Sequence, residues 1–180
     1  MCLAATRPRH QASISAWRPR TSPPPRIAAR CWRSCIPGSL IGRKFAHGVH
    51  DCLSIVLDFY CREMGIDLGQ CEREDGWWEK GRNLYLENLP AAGFVQVSAP
   101  QHGDMVLMQT RSKVPNQAGV YLADGVLKTE PEHFPAPGTI LHHLYSRDSK
   151  RDIYGGYWRE VTVSYWRHKC VQTTGADLLK

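Results

Sequence analysis

Along Cys52-Leu53-Ser54-Ile55-Val56-Leu57-Asp58-Phe59-Tyr60, apolar residues fall at 53, 56 and 60, with 55 and 59 beside them. That spacing gives one buried face to an α-helix. Gly65 is a natural stop, because glycine accepts the left-handed conformation that ends helices. The pattern predicts a helix over about 51–64. After a polar stretch, Gly76-Trp77-Trp78-Glu79 opens a second helical or irregular segment that reaches about Leu89 and is broken by Pro90-Ala91-Ala92-Gly93. The pattern then shortens and changes period. Phe94–Val97, Met105–Met108, Gln117–Leu122, Thr139–Leu144 and Val161–Trp166 read as strands, with Pro100–Asp104 and Ala123-Asp124-Gly125 as turns between them. Val126–Gly138 carries three prolines and reads as a loop. Helices first, then closely spaced strands, predict an α+β fold with N-terminal helices packed on a mainly antiparallel sheet.

The first forty residues do not share this patterning. They hold seven arginines, no lysine and no acid, and include Thr21-Ser22-Pro23-Pro24-Pro25-Arg26. Without an apolar face to bury, residues 1–37 are expected to be a disordered Arg/Pro-rich segment. They lack the apolar run of a secretory signal, and their prolines spoil the amphipathic helix of a transit peptide. A mis-set start or out-of-frame lead-in fits their composition better than a basic arm does. Residues 38–170 are expected to form the folded domain and 171–180 a flexible tail.

Charge follows the same division. The chain of 180 residues carries a formal +6, yet beyond residue 40 only 16 basic residues face 17 acids. The folded part is nearly neutral, and its aromatics do not interleave with a basic stripe. Nucleic acid is therefore not an expected partner. No stretch reaches the roughly 18 apolar residues of a membrane span.

The seven cysteines, at 2, 31, 35, 52, 61, 71 and 170, are odd in number and irregular in spacing, with no Cys-x-x-Cys pair. A zinc ribbon is not expected. Cys61 and Cys71 read as free thiols in a reducing setting. His142-His143 does not read as a metal site, since neighbouring strand residues face opposite ways and no cysteine or carboxylate cluster accompanies them. No cofactor is expected.

The chemistry concentrates at Cys52. A thiol at a helix start meets unpaired N–H groups and the positive end of the helix dipole, both of which favour the nucleophilic thiolate. A buried structural cysteine is the plainer alternative. What argues against it is the histidine-bearing strand region downstream, in the order a cysteine hydrolase needs. Asp51 reads as the helix cap, and its charge by itself opposes thiolate formation. Of Trp77-Trp78 and Tyr157-Trp158, at least one of each pair is expected in the core. Asp104 reads as a turn residue and Tyr154-Gly155-Gly156-Tyr157 as a tight turn.

The ordered set of motifs resembles the NlpC-type cell-wall cysteine peptidases, which have a papain-like fold. Within that group the closer likeness is to the tail-tip assembly proteins of lambda-like phages. It is carried by Gly42-Arg43-Lys44-Phe45-Ala46-His47-Gly48-Val49-His50-Asp51-Cys52 with Ser54, by Gly76-Trp77-Trp78, Gly93-Phe94, Gly103-Asp104 and Pro115-Asn116, by Ala118–Leu122, Leu141-His142-His143, and by Asp152-Ile153-Tyr154-Gly155-Gly156-Tyr157-Trp158. It covers about residues 38–168. The resemblance implies Cys52 as nucleophile, its backbone N–H as an oxyanion donor, and His142 as the residue that orients the base. It implies peptidoglycan stem peptides as substrate and other phage tail-tip proteins as partners. The expected setting is the bacterial cytoplasm during assembly and then the virion tail.

One position departs from the pattern. Where the family reads Asn-His-Ala, this chain reads Asn116-Gln117-Ala118. Glutamine takes no proton at neutral pH. Either His142, His143, His47 or His50 substitutes, or the domain is weak or inactive as a catalyst, leaving a tail assembly factor that keeps the fold.

Overall fold

The structure is a computed structural model that describes residues 37–69 and 73–171. A helix α1 (Cys52–Met64) leads into a 3₁₀ turn (Trp77–Lys80) and a short helix α2 (Leu84–Asn88). Strands β1 (Phe94–Val97), β2 (Met105–Met108), β3 (Gln117–Leu122), β4 (Thr139–His142) and β5 (Lys150–Ile153) follow, then α3 (Tyr157–Glu160) and β6 (Thr162–His168). The strands form one antiparallel sheet in the order β1-β6-β2-β3-β4-β5. This is the α+β architecture expected from the patterning.

Helix α1 begins and ends where its caps dictate. The Asp51 carboxylate accepts from the Leu53 and Ser54 N–H groups at 3.1 and 3.0 Å, while Ser54 Oγ accepts from Asp51 N at 2.6 Å. Such a cap contributes about 1 kcal/mol. At the other end Gly65 takes φ 67° and donates to Tyr60 O. Leu53, Val56, Phe59 and Tyr60 are buried, and the helix lies across β3 and β4.

Both faces of the sheet are covered, which is why β2 is apolar at every position. Met105 and Leu107 join Ala118, Val120, Leu122, Leu141 and the buried face of α1 in one core. Val106 and Met108 join Ile140, Tyr154 and Trp158 in a second core on the opposite face. Gly119 lets β3 and β4 close up, because a Cβ there would lie 2.9 Å from both the Ile140 side chain and Leu141 O.

Several elements differ from expectation. Strand β4 ends at His142 rather than Leu144. Strand β5 is not apparent in the sequence because Lys150-Arg151-Asp152-Ile153 has no apolar face; it is the sheet's outer strand, where charge guards an open edge. The segment 76–89 is divided in two, with Gly76 and Gly81 at φ 68° and 71° on either side of the 3₁₀ turn. Tyr157–Glu160 adds one helical turn after the Gly155-Gly156 bend. Cys61 is disulfide-bonded and not a free thiol, a pairing that spacing alone could not reveal. Cys71, residues 1–36 of the expected segment 1–37 and residues 172–180 of the expected tail 171–180 lie outside the described residues.

The chain just before α1 is clamped to distant parts of the body. The buried Arg43 guanidinium pairs with Asp58 and also donates to Ser39 O and Gly38 O. Leu40 N and Ser39 Oγ donate to the Glu130 carboxylate, and Arg43 N donates to Ser149 Oγ at 2.8 Å. Removing one partner of the Arg43–Asp58 pair is expected to cost about 3–5 kcal/mol. These clamps fix the path of the 44–51 loop that delivers Asp51 and Cys52.

Candidate active site

Cys52 occupies the first turn of α1 and is partly buried. Its Sγ lies 3.4 Å from the Tyr85 hydroxyl and 3.9 Å from Asn116 O, and the Ala118 N–H is directed at it. The thiol therefore sits between α1, α2 and the start of β3.

Each wall of the pocket has a local cause. Tyr85 is held by an edge contact with the buried Trp77, at a ring-centroid distance of 5.7 Å. The Asn116 side chain turns away from the sulfur and ties down the preceding hairpin, accepting from Thr110 N at 2.9 Å and donating to Thr110 O at 3.0 Å. That leaves the Asn116 carbonyl facing the thiol. Arg73 packs over the helix start and pairs with the Asp51 carboxylate.

The electrostatics run against a preformed thiolate. Burial pushes the Cys52 thiol above its ordinary pKa, and the Asp51 charge pushes it further. The Tyr85 hydroxyl, the Arg73 charge and the Ala118 N–H pull it down without reversing the shift. Burial would also raise Asp51, but Arg73 and the Ser54 and Gly48 N–H groups outweigh it and hold that carboxylate below its usual range. The helix start that the sequence suggested as thiol activator thus spends its Leu53 and Ser54 N–H groups on Asp51. At neutral pH the sulfur carries its proton and needs a base to lose it.

Gln117 follows Asn116 at the start of β3, opposite Met108, and neither its side chain nor His142 contacts the Cys52 sulfur. Gln117 is buried, and its Nε2 donates to His143 O at 3.2 Å and Ala118 O at 3.3 Å. His142 lies on the far face of the sheet, with Ile140 and Trp158. Its ring packs 4.4 Å from the Trp158 indole and its Nε2 lies 3.0 Å from Asp152 Oδ2. The expected placement of His142 beside Cys52 fails on parity. Leu141 points into the core beneath α1, so His143 shares that face and His142 takes the other.

His143 is 1% exposed and meets Phe45 edge-on at 5.7 Å. Its Nε2 lies 3.0 Å from Arg147 O, and its Nδ1 has no partner among the described residues. His47 is held toward Asp75 and Asp51, with Nδ1 at 3.6 and 3.9 Å from their carboxylates. His50 is partly buried in the small Ala46–His50 bridge.

Tyr85 and Arg73 are pocket residues that sequence reasoning missed. A phenol and a guanidinium in a polar stretch carry no motif by themselves. The one available signal was Trp77-Trp78 eight residues before Tyr85, a buried anchor close enough to fix it. Asp104 is more than a turn residue: it is fully buried and forms a two-pronged pair with Arg167, at 3.0 and 2.8 Å.

Comparison with known proteins converges on one group. The sequence profile of the NlpC/P60 family matches residues 42–167. "Tail tip assembly protein K" of Escherichia phage lambda is 43% identical over 137 residues, covering 75% of this chain and 61% of that protein. The protein of the same description from Escherichia phage N15 is 34% identical over 136 residues, 74% of this chain and 51% of its own length. The chain thus corresponds to between half and two thirds of the length of these relatives.

Proposed function

Since this chain belongs to the NlpC/P60 family, we propose that it works in phage or prophage tail-tip assembly and carries a papain-like thiol hydrolase domain of low turnover. The substrate class would be the peptide bonds of peptidoglycan stem peptides. The site would be the bacterial cytoplasm during assembly and then the virion tail, among other tail-tip proteins. Support for the tail role comes from the two phage relatives. Among the described residues no helix is long and apolar enough to cross a membrane.

The observation that carries the hydrolase reading is the Cys52 sulfur at the first turn of α1, in contact with Tyr85 Oη and faced by the backbone of 116–118. A carbonyl carbon attacked there would place its developing oxyanion near the helix start, where the Cys52 N–H is available by position. Cys52 would be the nucleophile. Gln117 stands where the family pattern has its base, and a carboxamide has no titratable proton to exchange near pH 7. Together with a thiol whose pKa is raised, this accounts for the low turnover.

The same two facts favour a second reading, a tail assembly factor that keeps the fold and no longer hydrolyses. The experiment that separates them is hydrolysis of a stem-peptide substrate by the unmodified chain, by Gln117→His, and by Gln117→His with Cys52→Ser. A gain in the first variant that disappears in the second supports the hydrolase. No Cys52-dependent hydrolysis in any folded form leaves the assembly role alone.

A further inference from the structure

We propose that His143 is the general base for Cys52 in this chain, with Gln117 positioning it, so that base and orienting residue have exchanged strands relative to the Asn-His-Ala pattern; the inference rests on the hydrolase reading above. Register places His143 beside the sulfur's neighbour. Gly119 pairs with His142 across β3 and β4, so one step further Ala118 lies opposite His143. Residues directly opposite in an antiparallel pair stand side by side on one face, with Cα atoms about 4.5–5.5 Å apart. Ala118 is the residue whose N–H is directed at the Cys52 sulfur. The imidazole therefore stands one strand over from that contact, on the α1 face.

The hydrogen bonds fix its tautomer. Arg147 O only accepts, so the His143 Nε2 that lies 3.0 Å from it carries the hydrogen. Nδ1 then holds the free lone pair, buried and without a donor among the described residues. Leaving a buried acceptor unpaired costs about 1–3 kcal/mol, and such groups recur where chemistry uses them. The charged and titratable groups acting on the ring are Asp51, His50 and Arg43. Burial keeps the ring neutral at pH 7, the state a base must start from, and Asp51 favours the imidazolium once it forms. Gln117 Nε2 donates to the His143 carbonyl, pinning the backbone that carries the ring.

In the reaction, Nδ1 takes the proton of the Cys52 thiol, directly or through one water. The thiolate forms an S–C bond to the amide carbonyl carbon as the C=O π pair moves onto oxygen. Collapse re-forms C=O and breaks the C–N bond, and the imidazolium proton goes to the leaving amine. Water then attacks the thioester carbonyl, giving one proton to Nδ1; the C–S bond breaks and the sulfur regains that proton.

The test uses the full chain. Cys52 alkylation by iodoacetamide, followed from pH 5 to 9, should show an inflection in the imidazole range that His143→Gln removes, and His50→Gln should leave it in place. Cys52-dependent turnover of a stem peptide should fall about a hundredfold or more in His143→Gln, and added imidazole should restore part of it in His143→Ala. In the unmodified fold, the nitrogen chemical-shift titration of His143 should move when Cys52 is changed to Ala, which keeps the proposal testable if the His143 variants do not fold. An unchanged alkylation profile in folded His143→Gln, or a His143 titration indifferent to Cys52, overturns the proposal. Hydrolysis absent even from Gln117→His defeats the parent reading instead, while the alkylation and titration arms still decide the role of His143.

Discussion

His142 and His143 are neighbours in sequence and stand on opposite faces of one sheet, each essentially excluded from solvent. On the far face, His142 has a carboxylate at Nε2 and an indole against its ring, with Lys150 bound to the same Asp152. On the α1 face, His143 has a backbone carbonyl at Nε2 and an edge-on Phe45. Burial lowers the pKa of both, and the far-face ring is opposed by Asp152. The far-face arrangement has the look of a catalytic pair, with imidazole and carboxylate at 3.0 Å, but the Cys52 thiol lies on the other face of the sheet. An imidazole next to a carboxylate is a packing solution as often as a chemical one. What distinguishes a base is an unspent lone pair on the nucleophile's side of the sheet.

The largest effect that would sharpen this contrast comes from restoring the imidazole of the Asn-His-Ala pattern at the start of β3. Gln117→His should raise stem-peptide hydrolysis by less than the roughly 10²–10⁴-fold worth of a sole general base, because His143 already serves as one, and Cys52→Ser should erase the gain. Next comes His142→Ala, which empties a space against Trp158 and frees Asp152 from one partner. It should lower unfolding free energy by about 2–4 kcal/mol in urea denaturation, with the pH profile of Cys52 alkylation unchanged. A changed profile would return His142 to the reaction and break the comparison.

Tyr85→Phe is a smaller change. It removes a hydroxyl that lowers the Cys52 pKa, so alkylation at pH 7 should slow by about 2–10-fold, the worth of one neutral hydrogen bond of roughly 0.5–1.5 kcal/mol. The smallest effect is on stability against pH. His142, His143 and His168 all have folded pKa values below the ordinary imidazole value. Below the unfolded pKa of about 6.5 the unfolded chain then binds protons that the folded chain refuses. Stability should be fully present above that pH and fall as pH drops through it toward the folded values. His142→Gln should flatten part of that decline in a melting-temperature series between pH 7.5 and 5.

Much of this was legible in the chain. The α1 periodicity, its Asp51 cap and Gly65 stop all came from local rules, and so did the α+β class and the positions of five of the six strands. What escaped was decided by tertiary packing. The polar β5 is a strand only because β4 offers it a partner. The choice between His142 and His143 required the parity of β4, and two histidines in a row satisfy either phase. Only Leu141 in the core beneath α1 settles it. The raised thiol pKa also depended on more than the helix start, because the Asp51 cap that favours the helix opposes the thiolate.

The clamp on residues 38–43 has a consequence for the life of the nascent chain. Its partners are Glu130 and Ser149, 90 and 106 residues downstream. At translation rates of about 5–20 residues per second, roughly 5–20 s separate the synthesis of Cys52 from that of Ser149. Throughout that interval the loop leading to Cys52 lacks its Ser149 anchor, and the sulfur lacks the Asn116–Ala118 wall for much of it. The thiol is made early and sheltered late, so the ribosome-bound chain is when this cysteine is most open to oxidants and to the other thiols of its own sequence.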